Sequence, residues 1–249
     1  PVMVSEGKPA LFTGYFEPEL HGALRPEGRY RYPVYREPPE ARRSNPWLTR
    51  REIETTDVMR GRGLEIAWVD DPVELFFLQI QGSGRIRLEN GQVIRVGYAG
   101  ANGHPYRSIG VELVQRGIYS VHQVSAEVIK NWVRRNPEEG RELLFHNPSY
   151  VFFRKLDNVP AERGPLGAMN RSVTTLRTVA VDPAFVPLGA PVWVEKDGGS
   201  AIKGAQRADI FFGTGDAAGQ AAGRLRDPGR MVVLMPIQRA YAMLPEQTP

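Results

Sequence analysis

Alternating apolar and polar residues predict a β-hairpin near the middle of the chain. Over residues 85–100, RIRLENGQVIRVGYAG, two short runs place an apolar side chain at every second position. A period of two is that of a strand with one buried face. Asn90-Gly91 between the runs favours a type I′ turn, whose two central residues both need positive φ. The stretch just before, ELFFLQIQGSG at 74–84, is predicted to be a strand that runs into a glycine turn.

Three helices are predicted after this hairpin. Ser108 and Ser125 each precede a run of helical periodicity and are predicted N-caps, and Gly117 is predicted to end the first helix. Asn136-Pro137 predicts the start of a third helix, because proline is well tolerated at the first helical position.

The rest of the chain predicts short strands separated by turns, which favours a barrel or a sandwich. The predicted strands are 149–154 (SYVFFR), 172–181 (SVTTLRTVAV), 190–195 (APVWVE), 208–212 (ADIFF) and 231–237 (MVVLMPI). Asp216 is predicted to be the N-cap of a helix over AAGQAAGRL, and an anion or glycan lying on that helix end is the alternative interpretation. The segment of about 18–148 is predicted to be α+β.

Composition narrows the classes of function. The chain has 249 residues, of which 41% are hydrophobic and 24% charged, as in globular proteins with one large or two modest domains. The absence of cysteine excludes disulfides, cysteine-bound zinc and a thiol nucleophile. Four histidines without ligand spacing predict no metal site, and GTGDAAG lacks the ending of a phosphate-binding loop, so no cofactor is expected. No apolar run approaches the 18 residues of a membrane span.

The chain is basic, with a net charge of +4, which attracts polyanions. It contains no RNA-binding or zinc-finger motif, so nucleic acid is not the expected partner. An anionic polymer of the cell envelope remains a candidate. The densest basic stretch, ARRSNPWLTRRE at 41–52, is predicted to be a solvated loop.

Two stretches have the composition of a saccharide site, although each has a structural alternative. FTGYFEPEL at 12–20 is either an aromatic strand packed into the core or a platform for sugar rings. YAGANGHPYRSIG at 98–110 combines aromatic faces with many hydrogen-bonding groups, and its Asn-Gly step is equally well explained by a turn.

These two stretches, together with FFLQIQGSG, NPSYVFF, TVAVDPAFVPLGAPVWV and GSAIKGAQRADIFFGTGDAAG, resemble the membrane-bound lytic murein transglycosylase A family over nearly the whole chain. The resemblance implies a mainly β fold with an α+β insertion. A double-psi β-barrel domain from 1–17 and 149–249 would carry a mixed α/β domain, 18–148, with a groove between the two. It also implies a periplasmic monomer that binds peptidoglycan glycan strands and is attached to the outer membrane through an N-terminal region.

The resemblance also assigns the site. Asp197 opens the motif D-x-G-[GS]-A-I-K-G and corresponds to the catalytic acid of the family. Asp209 is the second candidate carboxylate. In the family a longer stretch precedes the catalytic Asp, whereas Lys196 here follows PVWVE directly. KDGG alone also predicts a surface turn. If Asp197 is only part of such a turn, Asp209 is the remaining carboxylate of the site. The expected substrate-binding residues are Thr13, Gly14, Tyr15, Gln81, Ser83, Gly84, Tyr106, Arg107, Asp182 and Lys203.

The implied reaction needs one carboxylate. A lytic transglycosylase activates no water: the C6 hydroxyl of muramic acid attacks its own anomeric carbon, so one Asp can act first as acid and then as base. Two alternatives stay open. One is a glycoside hydrolase that uses Asp197 and Asp209 as a pair, and the other is a glycan-binding module without catalysis. Lys203 is expected to support the turn, with tuning of the site's charge as the alternative.

Overall fold

A computed structural model describes residues 2–3, 10–196 and 206–234 of the chain. The chain divides into two compact units. One, here called the split unit, consists of residues 1–16 and 161–249, and the other, the inserted unit, consists of residues 17–160. None of the helices in the described ranges is long and apolar enough to cross a membrane.

The strands of the described residues are β1 (Val2–Met3), β2 (Ala10–Glu17), β3 (Glu19–Ala23), β4 (Tyr32–Tyr35), β5 (Glu65–Val69), β6 (Ser83–Leu88), β7 (Val93–Ala101), β8 (Val151–Lys155), β9 (Val179–Val181), β10 (Val192–Lys196), β11 (Gln206–Thr214) and β12 (Arg226–Val233). The α-helices are α1 (Pro39–Arg43), α2 (Arg50–Thr55), α3 (Pro72–Gln81), α4 (Ile109–Gln115), α5 (Ala126–Arg135), α6 (Pro137–His146) and α7 (Asp216–Arg224), and Asp57–Met59 forms a 3₁₀ turn.

The inserted unit is built on a six-stranded sheet with the order β4-β5-β3-β6-β7-β8. Only the β3–β6 pair of this sheet is parallel among the described strands. The strand β8 was expected in the barrel domain, but it pairs antiparallel with β7, so its contacts place it in the inserted unit. The chain leaves this unit only after Pro160.

The segment 74–84 was predicted to be a strand, and this prediction is wrong for residues 74–81, which form most of helix α3. Asp71 caps the helix by accepting from the backbone N–H of Val73 at 2.7 Å, and Gly82 ends it with a φ of 75°. The helix is buried on two sides. Some of its apolar side chains pack on the sheet and others on α4, α5 and α6. This double burial produces the continuous apolar run that suggested a strand.

The predicted hairpin is confirmed as β6 and β7, but its turn is not type I′. The N–H of Gly91 donates to the carbonyl of Leu88 at 2.9 Å, and only Gly91 of the two central residues has positive φ, 83°. The N–H of Leu88 donates to the carbonyl of Gln92 at 2.8 Å. These bonds define a type I turn followed by a left-handed glycine, the usual three-residue hairpin loop.

The helices after the hairpin begin where the sequence predicts. Ser108 and Ser125 accept from backbone N–H groups in the first turns of α4 and α5, and Pro137 is the first residue of α6. The prediction for Asp216 is wrong. Gly215 is the N-cap of α7, and Asp216 is the first helical residue without a capping bond. Its charge still lies at the positive end of the helix dipole.

The split unit is built on a second six-stranded sheet, with the order β1-β12-β2-β11-β9 and with β10 paired to β12. Its core contains Ala10, Phe12, Ala208 and Met231 on one face of these strands. Of the predicted strand 172–181, only Val179–Val181 is extended, because the residues before it form a turn in which the N–H of Arg177 donates to the carbonyl of Thr174.

Candidate functional site

One candidate carboxylate, Asp209, lies on the face of the second sheet opposite that core. It is on β11, and Thr13 is on the neighbouring strand β2. The hydroxyl of Thr13 and the Nε of Arg207 both donate to Oδ1 of Asp209, the latter at 3.0 Å. Among the described residues no hydrogen-bond donor reaches Oδ2. The carboxylate is therefore held by one oxygen and offers the other, with a side chain that is 31% exposed.

Tyr15 stands two residues beyond Thr13, so the alternation of β2 places both on this face. Its ring packs against Phe211 with the ring centroids 5.2 Å apart. Burial raises the pKa of Tyr15 to about 12, and the charge of Asp209 adds to the shift. Tyr15 is therefore neutral at physiological pH, and its hydroxyl can serve as a hydrogen-bond donor.

Asp182 follows β9 directly and is exposed. Ala180, two residues earlier, is the Cα partner of Asp209, so Asp182 continues toward the Arg207 end of β11. Its carboxylate accepts from the N–H of Ala184 at 2.9 Å, which fixes the turn after β9. Asp197 and Lys203 lie outside the described residues, within the connection from β10 to β11.

Gly14 lies between Thr13 and Tyr15, and the structure gives it a packing role. A Cβ at this position would lie 2.6 Å from the Cα of Ala222 in α7. No real Cβ contact is this short, so the absent side chain lets the helix approach the strand. Gly14 thereby helps to fix the two side chains that flank it.

We expect Gly14→Ala to lower the free energy of unfolding by about 1–3 kcal/mol, because the added methyl group meets backbone that cannot rotate away. Chemical denaturation of the variant measures this loss. Gly223→Ala is the matched control. Gly223 lies in α7, the helix that packs against Gly14, and a Cβ at Gly223 has no neighbour within 4 Å. Equal stabilities of the two variants would contradict the packing role.

In the inserted unit, the α3–β6 turn brings together three of the expected binding residues. Gln81 is the last residue of α3, and Ser83 and Gly84 begin β6. Gln81 and Ser83 are half-buried. Gly84 is buried, and a Cβ there would lie 2.3 Å from Cδ1 of Leu78, so this glycine too is explained by close packing.

Tyr106 and Arg107 lie in the segment between β7 and α4, and both are exposed. Tyr106 lines a cavity of about 320 Å³ together with Gln79 and Ile80 near the end of α3. The structure therefore brings this segment and the α3 helix to one cavity within the inserted unit. The backbone N–H of Arg107 donates to Oδ1 of Asn147 at 3.1 Å, which orders the segment.

The other polar residues of this segment have structural partners. The amide nitrogen of Asn102 donates to the carbonyls of Leu48 and Pro148, both at 2.8 Å, and its oxygen accepts from the N–H of Tyr150. Nε2 of His104 lies 2.7 Å from the carbonyl oxygen of Trp47. The composition that suggested a saccharide groove is thus partly that of a loop fixed by its own side chains.

The prediction of a solvated loop over 41–52 is wrong at Arg50. Its side chain is only 3% exposed. It donates to the carbonyls of Asn147 and Ser149 and to Gln79, beside the Tyr106 cavity. A signal was present in the sequence, because Thr49 and Glu52 form a capping box that starts a helix at Arg50.

Two family models match the chain. The MltA specific insert domain matches residues 11–154, and the 3D domain matches residues 177–235. The chain belongs to the membrane-bound lytic murein transglycosylase A family. The resemblance found in the sequence motifs and the predicted fold class, mainly β with an α+β insertion, are therefore confirmed. Among the described residues, no cluster of three His, Asp or Glu side chains could hold a metal ion.

Several lytic transglycosylases are similar to this protein over most of the chain. The membrane-bound lytic murein transglycosylase A of Vibrio cholerae is 31% identical over 95% of this chain and 69% of its own length. The lytic transglycosylase LtgG of Burkholderia pseudomallei is 43% identical, with a TM-score of 0.68 over 92% of this chain and 72% of that one. Escherichia coli MltA with bound chitohexaose is 31% identical, with a TM-score of 0.79 over the same shares. The chain spans about two thirds of the length of its curated relatives.

Proposed function

We propose that this protein is a lytic transglycosylase that cleaves the β-1,4 bond between MurNAc and GlcNAc of peptidoglycan and leaves a 1,6-anhydro-MurNAc end. The observation that carries this proposal is the match of both units to the transglycosylase A family, with Asp209 held on the exposed face of the 3D-type sheet. The E. coli relative, MltA, has a solved structure with bound chitohexaose. Chitohexaose is a chain of linked sugars, as is a glycan strand.

The reaction requires a group that gives and then takes one proton. Asp197 protonates the glycosidic oxygen as the bond from that oxygen to the anomeric carbon breaks. The C6 hydroxyl of the same MurNAc then bonds to the anomeric carbon, and its proton returns to Asp197, so the enzyme ends as it began. The attack is intramolecular and gains from proximity. The acid must hold its proton near neutral pH, and we propose that the negative charge of Asp209 favours this protonated form.

The remaining proposed residues bind the glycan strand or support the residues that bind it. Thr13 and Arg207 orient Asp209, and Tyr15 offers a neutral hydroxyl beside it. In the inserted unit, Gln81, Ser83 and Tyr106 present polar groups and an aromatic face to the substrate, and Arg107 adds a positive charge. We propose that Gly14 and Gly84 act by close packing, and that Asp182 and Lys203 support the turns that border the site.

We further propose that the protein acts as a monomer in the periplasm, attached to the outer membrane. The description of its relatives as membrane-bound murein enzymes supports a location at the cell envelope. The basic surface suits a partner that carries carboxylate groups.

Digestion of purified murein in water enriched in oxygen-18 tests the reaction. We expect anhydro ends that carry no label, because no water enters the products, and mass spectrometry measures both properties. Label at the reducing end would instead support the glycoside hydrolase with Asp197 and Asp209 as a pair. Glycan binding without any cleavage would support the non-catalytic module.

A further inference from the structure

The inserted unit contains a second, larger cavity of about 850 Å³. Its walls come from α2, the beginning of α3, the strands β4 and β5, the end of α5, and α6. The volume falls within the range of about 300–1,000 Å³ that is typical of small-molecule sites. None of the described residues assigned above to glycan binding lines this cavity.

The charges that line the cavity are balanced. Five arginines and five carboxylates contribute to its walls: Arg31, Arg50, Arg60, Arg134, Arg141, Glu54, Asp57, Glu65, Asp71 and Glu138. Some of them neutralise one another, as in the Arg50–Glu54 pair at 2.9 Å and the Arg134–Asp71 pair at 2.7 Å. A site with both signs in equal number favours neither a simple anion nor a simple cation, and it suits a ligand that carries both charges.

Glu54 offers an acceptor to this cavity. Its Oε1 accepts from Arg50, and no donor among the described residues reaches its Oε2. Partial desolvation raises the pKa of Glu54, against the opposing effect of Arg50 and Arg141, while the side chain stays 34% exposed. One carboxyl oxygen of Glu54 is therefore open to the cavity and to solvent, and a bound ammonium group would take the place of water as its partner.

Arg141 offers the complementary charge. It lines the same cavity and lies close enough to Glu54 to affect its pKa. Its guanidinium lies over the ring of Phe145 at 5.4 Å, and no carboxylate or carbonyl in the described ranges accepts from it. Guanidinium groups present a planar set of donors that matches a carboxylate.

Aromatic side chains complete the walls. Tyr35, Trp68 and Tyr150 line the cavity. Burial raises the pKa of both tyrosines, and the charge of Glu54 adds to the shift, so these two hydroxyls lie near the carboxylate. Aromatic faces stabilise an ammonium group through the cation–π interaction and leave the uncharged part of a ligand in apolar contact.

We propose that this cavity is a binding site for a short zwitterionic peptide, with the ligand's ammonium group on Glu54 and its carboxylate on Arg141. This site goes beyond the proposed glycan-cleaving function and does not depend on it.

Isothermal titration calorimetry of the intact chain with triglycine tests the site. We expect triglycine to bind, and N-acetyl-triglycine amide, which has the same backbone without either charge, to bind about ten- to a hundredfold more weakly. This factor is the one that a hydrogen bond to a charged group contributes. Equal binding of the two peptides, or no binding of triglycine, would overturn the proposal.

Two variants localise the binding. Glu54→Gln keeps a hydrogen-bond acceptor for Arg50 but removes the charge, and Arg141→Met removes the guanidinium while preserving an unbranched side chain. Each is expected to weaken triglycine binding by about tenfold or more. Glu142→Gln is the control, because Glu142 neighbours Arg141 in sequence but pairs with Arg51 outside the cavity.

The pattern of results decides the outcome even if one variant is unstable. Thermal unfolding shows which variants are folded, and Arg141→Met carries the test if Glu54→Gln is not. Binding that survives in a folded Arg141→Met or Glu54→Gln variant would overturn the proposed site. Displacement of triglycine by chitotriose would also overturn it, since a neutral sugar would then occupy the same cavity.

Discussion

Replacing Asp197 by Asn is expected to reduce the rate of peptidoglycan cleavage by about 10²- to 10⁴-fold, or by more, while glycan binding is retained. The amide keeps the shape of the carboxyl group but can neither give nor take the catalytic proton. Because one group serves both steps of the proposed reaction, the upper end of this range is the expected result. Release of anhydro-ended fragments measures the rate, and binding of chitohexaose measures the affinity.

Asp209→Asn is the informative comparison. If Asp209 only supports the charge state of the site, its variant should be the milder of the two. Asp157→Asn serves as the control, because this exposed residue pairs with Lys155 on the surface of the inserted unit. Near-normal activity of Asp197→Asn beside an inactive Asp209→Asn would move the catalytic role to Asp209 and show that KDGG is a surface turn.

Glu17→Gln is expected to cause a large loss of stability. Glu17 is fully buried, and its carboxylate accepts from Arg85 at 2.9 Å and from Arg95 at 2.9 and 3.0 Å. The two arginines are direct cross-strand partners on β6 and β7, where like charges repel. The variant removes the negative charge that lies between the two arginines, which should cost about 3–5 kcal/mol of unfolding free energy.

The neighbouring pair supplies a matched control. Glu19, the first residue of β3, bonds to Arg87, which lies two residues beyond Arg85 on β6, but these side chains are 29% and 44% exposed. Glu19→Gln should therefore cost at most about 1 kcal/mol. Urea denaturation followed by tryptophan fluorescence compares the two variants, and similar losses would mean that Glu17 contributes no more than a surface charge.

Much of the inserted unit could be predicted because its signals are local. Ser108 and Ser125 cap helices through their own side chains, and the hairpin shows a clear period of two. Helix α3 was missed because packing on both sides removes the polar face that marks a helix. Its better signal was the Asp71-Pro72 start and the glycine at its end.

The site was harder to predict from local patterns. The contact of Thr13 with Asp209 joins residues that are 196 positions apart, and only the order of the strands brings them together. The burial of Arg95 is equally hidden, since its neutralising partner Glu17 comes from a distant strand. Family resemblance identified Asp209 and Thr13. Arg207 lies in the same motif as Asp209, but its bond to that carboxylate was found only from the structure.

Arg95 also holds the two ends of the inserted unit close together. Its guanidinium binds Glu17, the first residue of that unit, and donates to the carbonyl of Pro160, the last residue, at 2.8 Å. One side chain therefore contacts both the first and the last residue of the inserted unit. The entropy of closing a loop depends on the span left free. Once the inserted unit has folded, the two segments of the split unit are therefore joined as if by a short linker. The inserted residues then add little to the entropic cost of bringing these two segments together.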